Sequence, residues 1–590
     1  MKKSFVVRVG GEAGQGIATA ADVLAKVFIK LGYHIFASKD YASQIKGGHN
    51  YHTIRASEMS VHADVDKVDL LLALDKLTIN EHLNSLNDKG IIIVDELVDL
   101  TEFEGSNKFE NKKFIKVDVK QIETEIEQKN LHNAVFIGIA GKCLGIDFKI
   151  IEEELISYFS EKKKLQKILI SAAELGYKQV KEIENIKDIK VKQINNKDHY
   201  QFLSGNDTLT LGALKAGVQF HVQYPMTPVS AVLHNLAKEA QTNSELTIVQ
   251  PEDEIAAINF ALGASYAGKR AMTATSGGGF ALMIESLGLA GMAEVPLVLI
   301  EGQRPGPSTG LPTKTEQGDL KFVINSGTGD FPLAVIAPGD VDECYTETKR
   351  AFYLAEKYQL PVIVLVDKHI AESFKSVNLE KEEKEFVFDY NKRINMIENE
   401  DEVKDSQLNE NKLYKRYAFG NEKRTIPGNA KGIYTCAGDE HDEVGAIIED
   451  KEIRIKMMER RMSKLKKVAE EFPTQKLIGS SAKEAELTIV CWGSMKGAVL
   501  EAVEKFNEEG KKVNFLQVKY MFPFLSEEIK QILTSAKRLV LVENNYFGQL
   551  GDLIAEQTGI MIKDKILRSD GATFTIDEVY EQLRKRIERN

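Results

Sequence analysis

Three segments decide the fold: YPMTP (Tyr224 to Pro228), PEDEIAAINFALGASYAGKRAMTATSGGG (Pro251 to Gly279) and GQRPGPSTGLPTKTEQGD (Gly302 to Asp319). Each sets polar or glycine-rich residues after a short apolar run, and Glu252 and Arg304 stand out in them as isolated charged groups. Loops at strand ends that converge on a small anionic ligand have this composition.

On either side, apolar runs of four to six residues recur with helical patterns between them. Examples are Leu70 to Leu74, Ile91 to Val94, Pro296 to Ile300, Pro361 to Val366, Leu487 to Val490 and Leu539 to Val542. They lack alternation, so they predict strands buried on both faces, as in parallel sheets covered by helices. Several are followed by a carboxylate: Asp75, Asp95, Glu301, Asp367 and Glu543. The fold class is therefore α/β, with several parallel-sheet domains. Composition divides the 590 residues into units at 1–185, 205–378 and 485–590, with a linker at 186–204 and a charged connector at 379–484. Within the connector, 379–424 reads as solvated chain, and 452–471 as an exposed, charge-laced helix.

The net charge of -11 argues against a nucleic-acid surface as the main function. The four cysteines (Cys143, Cys344, Cys436 and Cys491) are scattered, with no C-x-x-C. A zinc site or iron–sulfur cluster built from this chain alone is not expected, nor is any other metal site, and the usage fits a reducing cytoplasm. The apolar run Phe5 to Val9 is too short for a signal peptide and reads as a first strand. No run reaches the length of a membrane span.

Two N-terminal elements carry polar reach. The loop Gly10-Gly-Glu-Ala-Gly-Gln-Gly16, between strand and helix, could bring backbone N–H groups to a phosphate, or be only a tight turn. It lacks the Lys-Ser/Thr of a Walker loop. The second is Ser43-Gln-Ile-Lys-Gly-Gly-His-Asn-Tyr51. Metal binding by His49 and His52 is not favoured, because no carboxylate or cysteine stands at ligand spacing. In the centre, Pro225 and Pro228 stiffen the turn that carries Thr227. Glu252 and Glu254 head a helix rich in small residues. Arg304, set among residues that do not compete for anions, could clamp a carboxylate or make a structural ion pair.

In this order, YPMTP, the Glu252 helix with TATSGGG, and GQRPGPSTGLPT resemble the α subunit of 2-oxoacid:ferredoxin oxidoreductases. GGEAGQG and SQIKGGHN resemble the γ subunit of those enzymes. Glu543-Asn544 with Tyr546-Phe-Gly-Gln-Leu-Gly551 resembles their transketolase C-terminal-like domain, and GDEHDE (Gly438 to Glu443) their connector. The likeness covers nearly the whole chain, as a γ–α fusion. It implies a γ-like domain, a transketolase-like domain that binds the pyrimidine of thiamine diphosphate, and a transketolase C-terminal-like domain.

The resemblance further implies CoA-dependent oxidative decarboxylation of a 2-oxoacid to acyl-CoA and CO2, with electrons passed to ferredoxin. The fused arrangement favours 2-oxoglutarate, with pyruvate and branched-chain oxoacids as rivals. It implies Glu252 as the carboxylate at the aminopyrimidine, a role suited to an apolar setting and a raised pKa, with Glu254 as the fallback. Thr275, Ser276 and Gly277 would line the cofactor. Tyr224, Thr227 and Arg304 would bind the substrate. Gly14, Gly16, Gly47, Gly48, His49 and Asn50 would lie on the coenzyme A side. The chain has no GDG turn for a diphosphate–Mg site and no cluster cysteines. A β subunit is therefore expected to supply diphosphate and Mg binding and the iron–sulfur cluster, in a heterodimer that can itself be doubled. A standalone transketolase-type enzyme and a non-catalytic scaffold are the competing readings.

Overall fold

A computed structural model describes residues 4–43, 48–101, 103, 112–180, 190–196 and 198–588. The chain divides into two compact units. One comprises residues 1–203, 372–378 and 574–583; the other comprises 204–371, 379–573 and 584–590. Among the described residues, no helix is long and apolar enough to cross a membrane.

The first unit is built on a mixed sheet. Strands Lys113–Val117, Leu86–Asp95, Val68–Ala73 and Ser4–Glu12 run parallel in that spatial order. Strands His49–Ser57, His34–Asp40 and Phe374–Val377 continue it antiparallel. The run Phe5 to Val9 is thus a central strand, buried because helix Ile17–Lys30 lays Ala20, Val23, Leu24 and Val27 against its face of the sheet. Strand Phe374–Val377 joins this sheet from far along the sequence.

The second unit holds two large sheets and a two-stranded one, Met396–Ile397 beside Arg424–Thr425. In the larger of the two large sheets, strands Ala334–Ile336, Pro361–Asp367, Leu297–Gln303, Ala271–Thr275, Phe220–Val222 and Thr247–Val249 are parallel neighbours in that order. Tyr520–Phe522 adds an antiparallel edge beside Ala334–Ile336. In the smaller of the two, Val513–Gln517, Leu487–Cys491, Leu539–Glu543 and Lys565–Leu567 are parallel, with Leu477–Gly479 antiparallel at the edge. The named apolar runs fall in these buried strands to within one residue at either end, which is why they do not alternate.

The segment 379–424 differs from the expectation of solvated chain. Tyr414, Arg416, Tyr417 and Arg424 are buried. Arg393 and Arg416 are used in internal ion pairs, while Glu400, Asp401, Glu402 and Lys404 are exposed. Arg393 and Arg270 both bond Glu356. Arg416 Nη2 stands 4.0 Å from Glu294, which also receives Arg460 at 3.0 Å and Lys464 at 2.6 Å. Burial pushes the Glu294 carboxyl up, but Lys464, Arg460 and Arg416 outweigh it and hold it far below the usual carboxylate range. The charge-laced helix is observed as Lys451–Glu471. It too is less exposed than its composition suggests, since Met457, Arg460, Arg461 and Val468 are buried.

Candidate active site

The site lies at the C-terminal ends of strands Ala271–Thr275 and Leu297–Gln303, where an open parallel sheet leaves its crevice. The Tyr224–Pro228 turn packs over it. Asn206 Nδ2 donates to the Pro228 carbonyl at 2.9 Å, and Gln223 Nε2 to the Val229 carbonyl at 3.1 Å. The turn rests on strand Leu297–Gln303 because residue 302 is glycine; a Cβ there would stand 2.7 Å from Val229 and 3.0 Å from Pro228. Arg304 Nη1 donates to the Thr227 carbonyl at 3.1 Å, which joins two of the expected substrate residues. Tyr224 is exposed at the edge of the turn.

Glu252 and Glu254 have separate fates. Asp253 caps the helix Glu254–Tyr266 by accepting from Ala256 N at 2.8 Å. This turns Glu252 outward, where it is exposed, and Glu254 inward, where it is 4% exposed. The apolar setting expected for Glu252 therefore belongs to Glu254. Burial raises the Glu254 carboxyl, assisted by the nearby Asp253 charge. Glu254 Oε1 is buried without a hydrogen-bond donor.

Thr275 and Ser276 are fully buried beside it, and Ser276 Oγ also lacks a partner. Helix Gly277–Met292 begins immediately after. A Cβ on Gly279 would fall 2.1 Å from Thr275 Oγ1 and 2.5 Å from Glu254 Oε1. A Cβ on Gly277 would fall 2.5 Å from Asp319 Oδ2. Glycines at the helix start thus let two carboxylates approach its N-terminal turn. Glu301 and Gln303 are also fully buried. Neither Glu301 oxygen meets a donor, and Gln303 Nε2 meets no acceptor. Gln303 Oε1 receives the Asp319 N–H at 3.0 Å. Such a concentration of buried, unsatisfied polar atoms is unusual in a folded interior and marks a place built for a ligand.

Asp319 is held by the C-terminal motif. Asn545 Nδ2 donates to the Gln317 carbonyl at 2.8 Å, Gln317 N to the Asn544 carbonyl at 2.7 Å, and Gln549 Nε2 to the Gly318 carbonyl at 2.6 Å. Glu543, fully buried, accepts from Trp492 Nε1 at 3.0 Å, Asn545 Nδ2 at 2.7 Å and Leu550 N at 2.9 Å. Burial pushes its carboxyl up to about 7 against the pull of those donors. In the connector motif, Glu440 takes a two-pronged bond from Arg461 at 2.9 and 2.7 Å, and another from Arg454.

This chain is 32% identical to the 2-oxoacid:ferredoxin oxidoreductase subunit alpha of Saccharolobus solfataricus, over 98% of this chain and 97% of that one. It belongs to the α subunits of the 2-oxoacid:ferredoxin oxidoreductases. It is 34% identical to the 2-oxoglutarate synthase subunit KorA of Methanocaldococcus jannaschii, over 59% of this chain and 89% of that one. Residues 211–460 match the family "Pyruvate flavodoxin/ferredoxin oxidoreductase, thiamine diP-bdg", residues 6–179 "Pyruvate ferredoxin/flavodoxin oxidoreductase", and residues 485–579 "Pyruvate:ferredoxin oxidoreductase core domain II". A solved structure described as "2-oxoglutarate:ferredoxin oxidoreductase from Magnetococcus marinus with 2-oxoglutarate, coenzyme A and succinyl-CoA bound" superposes with a TM-score of 0.89 at 30% identity, covering 100% of both chains.

In this α subunit the N-terminal candidates form a separate group in the first unit. Gly14, Gly16 and Gly48 have positive φ, and Gly16 stands at the N-cap of helix Ile17–Lys30. Asn50 Oδ1 accepts from Ala42 N at 3.0 Å. Gly47 lies outside the described residues. His49 Nε2 meets His82 Nε2 at 2.7 Å, and His82 Nδ1 meets Arg8 Nη1 at 3.2 Å. Arg8 is always a donor, so His82 Nδ1 accepts, its Nε2 donates to His49, and the proton of His49 stands on Nδ1. Burial lowers both imidazoles, His82 to about 3, so this neutral tautomer chain holds at neutral pH. Sequence reasoning missed Arg8 and His82. The only signal for either was an arginine inside an apolar strand.

Proposed function

We propose that this chain holds the aminopyrimidine half of thiamine diphosphate and the 2-oxoacid, and that with a β subunit it converts 2-oxoglutarate, CoA and oxidised ferredoxin to succinyl-CoA, CO2 and reduced ferredoxin. The observation that carries this reading is Glu254: a buried carboxyl with an unpartnered oxygen, beside a space kept open by Gly279. A carboxyl there that keeps its proton can donate it to the N1′ nitrogen of an aminopyrimidine, and Thr275, Ser276 and Gly277 would line the same space. When bound, the cofactor supplies the nucleophilic carbon and the electron sink for decarboxylation.

The chain's own residues would do the rest. Glu254, with its pKa raised by burial, exchanges a proton with the pyrimidine nitrogen at neutral pH. Arg304, steadied by the Thr227 carbonyl, offers its remaining N–H groups to the substrate carboxylate. Thr227 and Tyr224 border that approach. Glu252, exposed, is left with no role at the cofactor. Gly14, Gly16, Gly48, His49 and Asn50 are the candidates for the coenzyme A side, where the Nδ1–H of His49 is a buried donor without a partner.

The choice of 2-oxoglutarate rests on the full-length likeness to the structure that holds 2-oxoglutarate and coenzyme A. A β subunit would supply the diphosphate and Mg sites and the iron–sulfur cluster. The surface it would cover is apolar: Ile255 and Phe260 on helix Glu254–Tyr266 and Leu282 on helix Gly277–Met292 are about half exposed. A dimer of such heterodimers is the expected assembly.

The test is reconstitution with the β subunit, following viologen reduction with a panel of 2-oxoacids plus CoA. Glu254→Gln is expected to lower kcat roughly 100-fold or more, and Glu252→Gln to leave it within about threefold. The opposite ranking would return the role to Glu252. Full activity of this chain without the β subunit would overturn the shared-site reading.

A further inference from the structure

Glu301 lies near the end of strand Leu297–Gln303, between Thr275 and Leu365 on the neighbouring strands. Its side chain is fully buried, and neither oxygen has a donor. An ionised carboxylate in that position would be several kcal/mol unfavourable. The Asp319 N–H donates to Gln303 Oε1 at 3.0 Å, two residues along the strand from Glu301, which sets Asp319 against this strand end. The two carboxyls act on each other there, and the Arg304 guanidinium acts on both. Two carboxyl groups can share a hydrogen bond only if one of them carries a proton.

The surroundings decide which. Asp319 Oδ2 sits over Gly277 at the first turn of helix Gly277–Met292, and Ser276 supplies no side-chain cap there. Unsatisfied N–H groups and the helix dipole favour negative charge at that spot. Glu301 has only the sheet around it. Asp319 is therefore the anion and Glu301 the acid. Of the other titratable groups, Glu254 faces the same helix turn at Gly279, two residues beyond Gly277, and is itself buried with an unpartnered oxygen. The rest are engaged elsewhere or more remote. Asp367, opposite Gln303 on the next strand, accepts from Ile370 N and Ser494 N, and Glu316 acts on Asp319 only through space.

We infer that Glu301 carries a proton which it donates to the Asp319 carboxylate, and that this pair is a positioning device that aims Arg304 at the substrate carboxylate. The pair leaves one negative charge acting on the guanidinium. That charge orients Arg304 without cancelling its attraction for a 2-oxoacid. If Glu301 ionised, two carboxylates would compete with the substrate for one arginine. This inference rests on the proposed role of Arg304, and the proton itself does not depend on that role.

Isotope-edited infrared difference spectra of the whole chain, wild type against Glu301→Gln, test the proton. The carbonyl stretch of a protonated glutamic acid is expected in the wild type and absent from the variant. No such band overturns the inference, whatever the complex catalyses. Steady-state kinetics of the α–β complex test the positioning. Glu301→Gln still donates to Asp319, so KM for the 2-oxoacid should stay within about twofold at neutral pH. Wild-type KM should rise at alkaline pH, and Glu301→Gln should abolish that rise. Glu301→Ala should raise KM about tenfold with kcat largely kept. A tenfold higher KM in Glu301→Gln at neutral pH, or an alkaline rise that survives in it, overturns the positioning role. A wild-type complex inactive with every 2-oxoacid removes the functional reading, and the infrared result still decides the pair.

Discussion

Replacing Gly279 by alanine tests whether the space beside Glu254 is a working space. The added methyl would start 2.1 Å from Thr275 Oγ1 and 2.5 Å from Glu254 Oε1, where ordinary contact begins at 3.4 Å. Thr275 must retreat by about 1.3 Å and the Glu254 carboxylate by about 0.9 Å to reach that contact. Both are buried, and the Glu254 carboxylate, on the longer side chain, should take most of the movement. Overpacking of this kind is about 1–3 kcal/mol unfavourable, which a large unit can absorb. A displacement near 1 Å of a group that must meet a substrate or cofactor atom lowers turnover by roughly 100-fold. Gly279→Ala should therefore fold, assemble with the β subunit, and lose about two decades of kcat in viologen reduction. Gly288→Ala, in the same helix, is the control. A Cβ there meets nothing within 4 Å, and alanine should stabilise the helix by roughly 0.5–1 kcal/mol. Gly279→Ala turnover within threefold of wild type, with assembly and melting unchanged, would refute the argument that this space holds the reacting group.

Arg304→Lys keeps the charge but loses the forked donor set, so KM for the 2-oxoacid should rise about tenfold or more with the melting curve unchanged; an unchanged KM would remove Arg304 from the substrate site. Glu294→Gln leaves Arg416, Arg460 and Lys464 around a neutral group, and should cost about 3 kcal/mol, read as a lower urea midpoint for the isolated chain. For Glu440, burial raises the carboxyl, but Arg461 and Arg454 outweigh it and bring it to about 2, below the ordinary 4.5. A depressed carboxyl contributes stability above its unfolded pKa and loses it as pH falls through the folded one. Melting temperature should thus fall between about pH 4.5 and pH 2, more steeply in the wild type than in Glu440→Gln. Equal slopes would show that these arginines do not stabilise the fold through Glu440.

The sheet strands were legible because burial on both faces removes alternation, and Leu70 to Leu74 or Pro361 to Val366 can be little else in a chain of this composition. The connector was not. Its charges resemble those of solvated chain, and only folding shows that Arg416 and Arg460 converge on Glu294 from 122 and 166 residues away. At the candidate site, Thr227 and Arg304 stood out because proline and glycine isolate them. Which of Glu252 and Glu254 is buried could not be read from spacing. It is set by Asp253, whose cap on Ala256 N fixes where the helix begins, and so which neighbouring carboxylate turns inward.

The carboxylates that end the strands show the same dependence on context. Glu301, Asp367 and Glu543 occupy equivalent places after apolar runs, yet each has a different environment. Glu543 receives donors from Trp492, Asn545 and Leu550, and so anchors the segment that bonds the backbone of Gln317 and Gly318. Asp367 caps the turn that follows it by accepting from Ile370 N. Glu301 receives nothing. A buried carboxyl that the fold supplies with donors is a structural clamp, and one that it leaves without them must keep its proton or meet a ligand. By that criterion Glu254 and Glu301, not the better-bonded carboxylates around them, are where this fold retains unspent chemistry. The clamp at Glu543 serves them by fixing the backbone that delivers Asp319 to the start of helix Gly277–Met292.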